Sequence, residues 1–162
     1  MPALEALSTV IEIDGSRTIA ELFKSIYDVL QTRGLHRAVT QIACLYLDHR
    51  AYRHVRVEPV HIEVVFAVDH WALQAINISD SITLIPNIIP ACELVASALH
   101  RGSDFHRSVA HNSVMRWIEQ HHSSVIAPVR EIYLRRNHPD EHITEVQFPI
   151  TAQIPVPGAN GH

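Results

Sequence analysis

Two short segments in the first half of this chain resemble two segments in the second half, in the same order. Cys44-Leu45-Tyr46-Leu47 matches Glu131-Ile132-Tyr133-Leu134, and residues 63–68 (EVVFAV) match residues 145–150 (EVQFPI). Each segment alternates in the way that is typical of a β-strand. We therefore predict an α+β fold built from a duplicated strand-helix-strand-strand unit. The chain of 162 residues suits a single pseudo-twofold domain over 1–150, with halves of about 7–68 and 82–150.

The elements between these segments fit the same order. Thr18 and Glu21 have the spacing of a capping box, apolar residues then follow at helical spacing to Leu30, and Gly34 is a natural stop. We predict strands at 7–13, 39–48, 57–68 and 92–99, a second helix at 104–122, and two closing strands. The connector from residue 69 is predicted to be irregular, with an edge strand near 82–85. The Pro- and Gly-containing residues 151–162 are predicted to be a flexible tail.

Charge and composition argue against several classes of protein. The net charge is −4, the pI is about 6.3, and Lys and Arg do not cluster, which argues against direct nucleic-acid binding. We expect no secretory signal peptide, and no apolar run has membrane-spanning length. Only two cysteines are present, which favours reduced thiols and a cytoplasmic location. The thirteen histidines are scattered, so we predict no metal site and no cofactor. The low charged fraction, 19%, makes a homodimer reasonable.

The two closing strands raise the question of which face is functional. Arg130, Ile132 and Leu134 share one face of the first strand, and Val129, Glu131 and Tyr133 share the other. The polar face is either solvated surface or the floor of a pocket. The duplication favours a pocket, because it predicts that one face gathers polar residues from both halves at their junction. The predicted members are Cys44, Tyr46, Glu63, Val65, Glu131, Tyr133, Glu145 and Gln147. The opposite face, with Leu45, Leu47, Val64, Phe66 and Val68, is predicted to pack under the first helix.

The ordered set of segments resembles the GyrI-like effector-binding domains, the small-molecule modules of MerR- and AraC-type multidrug regulators, which also occur alone. The segments that carry the resemblance are Ile89-Pro90-Ala91, residues 98–103 (ALHRGS), Trp117-Ile118, residues 128–134 (PVREIYL) and residues 144–150 (TEVQFPI). It is strong over about 82–150 and weaker over 7–68. The resemblance implies a cupped antiparallel sheet with two main helices and a pocket where the halves meet. In relatives, the Glu of the strand that matches Glu131 meets cationic aromatic drugs.

Candidate ligand-binding residues follow from the pattern and from the resemblance together. Glu131 is the first candidate for a cation, with Tyr133 and Tyr46 beside it for aromatic contacts. Each has a plainer alternative as a cross-strand neighbour on a half-buried sheet. The further candidates are Glu145, Glu63, Trp71 and Trp117, although Trp117 also fits a helical core stripe. Cys44 occupies the position in the first half that matches Glu131, so the predicted pocket is acidic on one side.

Three functions stay open at this stage. The favoured one is a stand-alone protein that binds or senses lipophilic, cationic or aromatic small molecules, with a separate regulatory protein as a conceivable partner. The second is a hydrolase of cyclopropane-bearing alkylating toxins, as the resemblance implies for some relatives, with Glu131 or Glu145 as base and Tyr133 or Tyr46 orienting the electrophile. The third is a gyrase-interacting protein. We expect no direct contact with DNA or with a membrane.

Overall fold

The structure of this protein, a computed structural model, describes residues 3–14, 18–47, 59–103, 106–135 and 141–151. Within those residues it contains eight strands and two α-helices. The elements in chain order are β1 Leu4–Ile13, α1 Ile19–Thr32, β2 Val39–Tyr46, β3 Val60–Val68, β4 Ile76–Ser79, β5 Ile82–Ile89, β6 Val95–Arg101, α2 Ser108–Gln120, β7 Val129–Arg135 and β8 Ile143–Pro149. The predicted α+β class, antiparallel sheet and two main helices are confirmed. The predicted tail lies outside the described residues beyond Thr151.

The strands form one antiparallel sheet in the order β4-β5-β1-β3-β2-β7-β8-β6. Six neighbouring strands of this sheet, β1-β3-β2 and β7-β8-β6, form two sets of three with mirrored order. In each set the strand before the helix, β1 or β6, lies on the outside, and the two strands after the helix follow inward. The two sets meet where β2 pairs with β7. This is the arrangement expected of two strand-helix-strand-strand units side by side. Whether the units arose by duplication stays a prediction. The junction pairs Ala43 to Tyr46 of β2 with Ile132 to Val129 of β7.

The first helix has the ends that its sequence predicts. The Thr18 side chain accepts a hydrogen bond from the Glu21 backbone, and the Glu21 carboxylate accepts one from the Thr18 backbone N–H at 2.8 Å. These bonds satisfy two of the donors that a helix start leaves unpaired. Leu22, Ile26 and Leu30 form the buried stripe. Gly34 ends the segment with a φ of +73°, which a residue without Cβ adopts at no steric cost.

Both helices cover the same face of the sheet. The core under α1 contains Cys44, Val64, Phe66 and Tyr133. The core under α2 contains Val129, Val146 and Phe148, together with Ala110, Val114 and Ile118 of the helix itself. Val129 and Tyr133 lie on the same side of β7 because their positions differ by an even number. The strand β7 therefore passes from beneath one helix to beneath the other.

The sheet curls away from the helices. A guanidinium N–H of Arg130, on the face opposite the helices, donates to the carbonyl oxygen of Pro90 at 3.4 Å. Pro90 directly follows β5, which three strands separate from β7, so a flat sheet would hold β5 and β7 about 19 Å apart. The contact therefore requires the sheet to bend, so that the face opposite the helices is concave. We call this concave side the inner face, and it holds a small core of Ala6, Ala43, Leu45, Val65, Ile89 and Ile132. The predicted cupped sheet is confirmed.

Two predicted elements differ in the structure. The connector after residue 69 is not irregular throughout, because β4 and β5 form a hairpin, and β5 is an inner strand that pairs with β1. Pro86 lies inside β5, opposite Leu7. A strand tolerates it there because β4 pairs only with residues 82–84, so the missing N–H faces no partner on that side. The second helix begins at Ser108 rather than at residue 104, which lies outside the described residues.

Candidate functional site

A buried carboxylate lies in the seam between the two helices. Glu131, at the centre of β7, is 1% exposed, and its β2 partner across the junction is Cys44. Its strand neighbours on the same face, Val129 and Tyr133, belong to the cores under α2 and α1 respectively. Glu131 therefore lies where the two halves of the molecule meet, on the face of the sheet that the helices cover. Burying one carboxylate without partners would cost several kcal/mol, so its contacts decide whether this position is stable.

Three donors reach the Glu131 carboxylate. His111 Nε2 lies 2.8 Å from Oε1, and Arg107 Nε lies 3.2 Å from the same oxygen. The Tyr133 hydroxyl donates to Oε2 at 3.0 Å. The two oxygens are thus held by different elements: Oε1 by the start of α2, and Oε2 by β7 itself. An arrangement of this kind compensates the loss of water around the charge.

The start of α2 is positioned for this role. Arg107 is the N-cap residue and His111 lies four residues later, so both side chains project from the same side of the helix. His111 also continues the stripe of Val114 and Ile118, which anchors that side against the sheet. The N-terminus of a helix carries a partial positive charge that favours a nearby anion. In α2 no side-chain cap bond is made by Arg107, whose guanidinium is directed at Glu131 instead.

The environment lowers the pKa of Glu131. Burial alone would raise the pKa of this carboxyl, but the hydrogen bond from His111 and the positive charge of Arg107 outweigh burial. The charge of His111 and the hydrogen bond from Tyr133 act in the same direction. Glu131 is therefore a carboxylate at neutral pH although water is excluded from it.

The groups around Glu131 are held in their neutral forms. Burial raises the pKa of Tyr133, of Tyr46 and of the Cys44 thiol well above their usual values, and the negative charge of Glu131 adds to the effect in each case. Tyr46 and Tyr133 therefore stay phenols, which can donate a hydrogen bond and present an uncharged aromatic ring. The site thus combines a buried carboxylate, paired with the Arg107 guanidinium, with two neutral tyrosine rings.

Two cavities flank the seam. The first, of about 580 Å³, is lined by Phe23, Tyr27, Ile42 and Tyr133, together with Lys24 and Arg135. The second, of about 570 Å³, is lined by Tyr46, Met115, Ile118 and Val129 among others. Tyr133 contributes to the first cavity and Tyr46 to the second, whereas Glu131 lines neither and is linked to the first through its hydrogen bond with Tyr133. The cavities are in the size range of small-molecule sites.

The structure brings together three of the predicted site residues, Glu131, Tyr133 and Tyr46. The prediction that Glu145 and Glu63 share their face was wrong. Glu131 pairs with Val146 across β7 and β8, so Glu145 pairs with Ile132 and points to the opposite face. In the same way Cys44 pairs with Val64, and the adjacent Glu63 lies on the opposite face. There the Glu63 carboxylate accepts a hydrogen bond from the Asn87 amide at 2.8 Å.

In the first half the prediction is confirmed for Val64, Phe66 and Val68, which pack under α1. It was wrong for β2, where Cys44 and Tyr46, rather than Leu45, face that helix. Leu45 and Val65 belong to the inner face. Both faces of the central strands are buried, so apolar residues do not mark the helix side. Gln147 pairs with Arg130 and also lies on the inner face.

Neither predicted tryptophan lies beside Glu131. Trp71 is 65% exposed in a short 3-10 turn, His70–Ala72. Trp117 is 44% exposed and lines a separate cavity of about 380 Å³ between α2 and β6. Its indole stacks on the His121 ring, with centroids 4.1 Å apart. Trp117 was predicted on a buried stripe, but only Val114 and Ile118 of that stripe are buried.

Arg107 and His111 are site residues that the sequence analysis missed. His111 was considered only as a metal ligand, whereas its spacing from Val114 and Ile118 places it on the buried stripe of α2. A histidine on such a stripe needs a buried partner, and this signal was available. Within the described residues, no three His, Cys, Asp or Glu side chains are grouped as a metal site, and neither helix is long and apolar enough to cross a bilayer.

Comparisons with known proteins identify the fold. A crystal structure of the EcmrR C-terminal domain matches with a TM-score of 0.69 and 18% identity, over 93% of both chains. EcmrR in a complex with DNA gives the same TM-score at 19% identity, and the match covers 55% of that longer chain. An uncharacterized conserved protein from Listeria innocua gives 0.63 at 10% identity, over 93% of this chain and 89% of that one.

A protein described as a hydrolase from Listeria innocua also matches, with a TM-score of 0.55 and 11% identity over 93% of this chain and 88% of that one. No family model matches the sequence, and no curated protein matches it significantly. The chain therefore has the fold of the EcmrR C-terminal domain. At these identities the likeness establishes the fold alone.

Proposed function

We propose that this protein, which shares the fold of the EcmrR C-terminal domain, binds a lipophilic cation in the seam between its two helices. The observation that carries the proposal is the Glu131 carboxylate, which is 1% exposed, ionised, and lies beside Tyr133 and Tyr46, each of which lines a cavity. A negative charge in such surroundings attracts a cation more strongly than the same charge in water. Neutral phenol rings beside it add cation–π contacts of about 0.5–2 kcal/mol each.

The same contacts support binding over hydrolysis. A general base works best when its pKa lies near the operating pH, whereas the surroundings of Glu131 lower its pKa. Glu145, the second carboxylate considered for catalysis, pairs with Ile132 on the opposite face. Hydrolysis of cyclopropane-bearing compounds and binding to gyrase stay predictions from the resemblance, and so does a separate regulatory protein as partner.

Titration with a fluorescent lipophilic cation tests the proposal. Rhodamine 6G polarisation is measured with the wild-type protein, with Glu131→Gln and with Glu145→Gln as a matched control on the neighbouring strand. We expect Glu131→Gln to weaken binding at least about tenfold, because the ligand charge loses its buried partner. Glu145→Gln should bind as the wild type does. Equal affinities of the wild type and Glu131→Gln would contradict the proposal.

A further inference from the structure

The Glu131 carboxylate already holds a cation that belongs to the chain. Arg107 Nε donates to Oε1 at 3.2 Å, while His111 and Tyr133 supply the remaining contacts. The three partners differ in exposure. The His111 side chain is 7% exposed and the Arg107 side chain is 18% exposed, so Arg107 is the partner that lies towards solvent.

This difference decides which contact a ligand can replace. His111 is fixed by the buried stripe of α2, and Tyr133 is fixed by β7 and by its edge-on contact with Phe23, with ring centroids 5.2 Å apart. Arg107, by contrast, is the N-cap residue of α2, and its side chain is the more exposed one. A long side chain at a helix end can turn outward without unfolding the helix. A cation that enters the seam therefore meets Glu131 at the position of the Arg107 guanidinium.

The chemistry of the replaced group constrains the ligand. Oε1 lies in a site without bulk water, so an N–H bond lost from Arg107 is costly unless the ligand supplies another. A quaternary ammonium or phosphonium ion carries the charge but has no N–H. An amidinium or guanidinium carries both, and its planar donor edge matches a carboxylate. The aromatic cavities next to Tyr133 and Tyr46 would hold the remainder of such a molecule.

We propose that the site selects aromatic amidines and guanidines, which replace Arg107 on Glu131, and that Arg107 determines both affinity and specificity as an internal competitor. This inference rests on the proposed function, because it requires that Glu131 receives the cation of a ligand. It adds which cations are accepted and which residue they displace.

The test uses two small aryl cations of equal charge, benzamidine and phenyltrimethylammonium. Each is titrated into the full chain labelled with ¹⁵N-arginine, and the Nε–H resonances are followed by NMR. We expect benzamidine to bind at least about tenfold more tightly than phenyltrimethylammonium, because only benzamidine replaces the lost N–H bond. At saturation with benzamidine, the Arg107 Nε–H resonance should move to the position typical of a solvated arginine.

Two substitutions complete the experiment. Arg107→Gln removes the competitor and should bind benzamidine at least about tenfold more tightly than the wild type does. Arg116→Gln, which changes an exposed arginine on the same helix, is the control and should leave the affinity unchanged. If Arg107→Gln does not fold, the two probes and the Arg107 resonance of the wild type decide the question.

Three results would overturn the inference: equal affinities for the two probes, an Arg107 resonance that does not move at saturation, or a folded Arg107→Gln variant that binds no more tightly. In each of these cases binding that still depends on Glu131 would leave the proposed function intact. Binding that is unaffected by Glu131→Gln would instead remove the proposed function, and this inference with it.

Discussion

Glu131 remains ionised in the folded protein because hydrogen bonds and opposite charges outweigh its burial. A carboxyl with a lowered pKa in the folded state binds its proton more weakly than the unfolded chain does. It therefore stabilises the fold at pH values above its unfolded pKa, and this contribution is lost as the pH falls through the folded pKa. Each unit of difference between the two pKa values is worth about 1.4 kcal/mol.

The first prediction concerns stability at acidic pH. The difference in unfolding free energy between the wild type and Glu131→Gln should be constant near neutral pH and should shrink as the pH falls below about 4.5. Urea unfolding at a series of pH values measures it, with Glu145→Gln as the control on the opposite face. A difference that stays constant down to pH 3 would contradict the lowered pKa of Glu131.

The second prediction concerns the hydroxyl of Tyr133. Tyr133→Phe keeps the ring contact with Phe23 but removes the donor to Glu131 Oε2. We expect it to lower the free energy of unfolding by about 2 kcal/mol, since a bond to a buried charged group is lost. Tyr27→Phe, whose ring lines the same cavity, is the control and should change stability much less. Similar losses in both variants would mean that the bond to Glu131 contributes little.

At the scale of elements, the two helices begin differently. The first turn of α1 is held by the reciprocal bonds of Thr18 and Glu21, whereas α2 begins at Arg107 without a side-chain cap. The N-cap side chain of α1 thus serves the helix itself, whereas the N-cap side chain of α2 contacts the Glu131 carboxylate. The second helix is the one that supplies Arg107 and His111 to Glu131.

The third prediction tests the cap of α1. Thr18→Ala should lower the free energy of unfolding by about 1 kcal/mol, because the Glu21 backbone N–H loses its acceptor. Thr32→Ala at the other end of α1 removes only a side-chain bond to the Asp28 carbonyl and is the control. Urea unfolding of the three proteins measures both effects. A smaller loss for Thr18→Ala than for Thr32→Ala would contradict the cap.

The sequence allowed accurate prediction of elements whose signals are local. The capping box, the apolar spacing and Gly34 predicted α1, and the alternation around Glu131 predicted β7. The alternation also placed Glu131 and Tyr133 on one face, because residues two apart on a strand share a face. Which face of the sheet the helices cover could not be predicted. Leu45 and Val65 are buried on the inner face and Phe66 is buried under α1, so burial of apolar residues does not distinguish the two faces.

Contacts between elements that are distant in the sequence could not be predicted from local sequence patterns. Glu145 was placed with Glu131 because the polar sides of the two closing strands were expected to share a face, and Glu63 because it matches Glu145. Strand register depends on pairings that neither pattern contains. The contact of Arg107 and His111 with Glu131 depends on how α2 lies over the sheet. Without the contacts from Arg107 and His111, β7 would be only a strand with a buried carboxylate.

At the scale of the molecule, the two halves meet through β2 and β7, with Cys44 opposite Glu131 at the centre. The Cys44 side chain is fully buried, and burial together with the charge of Glu131 raises the pKa of its thiol. A thiol of this kind reacts only when the surrounding structure opens. Cys92, in the connector between β5 and β6, is partly exposed.

The fourth prediction uses these two cysteines to measure the opening of the junction. Iodoacetamide should modify Cys92 first, and Cys44 at least about 100-fold more slowly, because its thiolate must form in a dry site. Mass spectrometry of the alkylated protein gives both rates, and Cys92→Ser isolates the reaction of Cys44. Equal rates for the two thiols would show that the halves separate readily.

The stack of Trp117 on His121 has an optical consequence. A histidine ring stacked on an indole changes the emission of that indole, and this pair lies at the end of α2 opposite to Arg107. The chain has two tryptophans, and replacing the exposed Trp71 by phenylalanine leaves one emitter. Both rings belong to the C-terminal end of α2, so light emitted by Trp117 would then follow any loosening of that helix end in real time, without an attached dye.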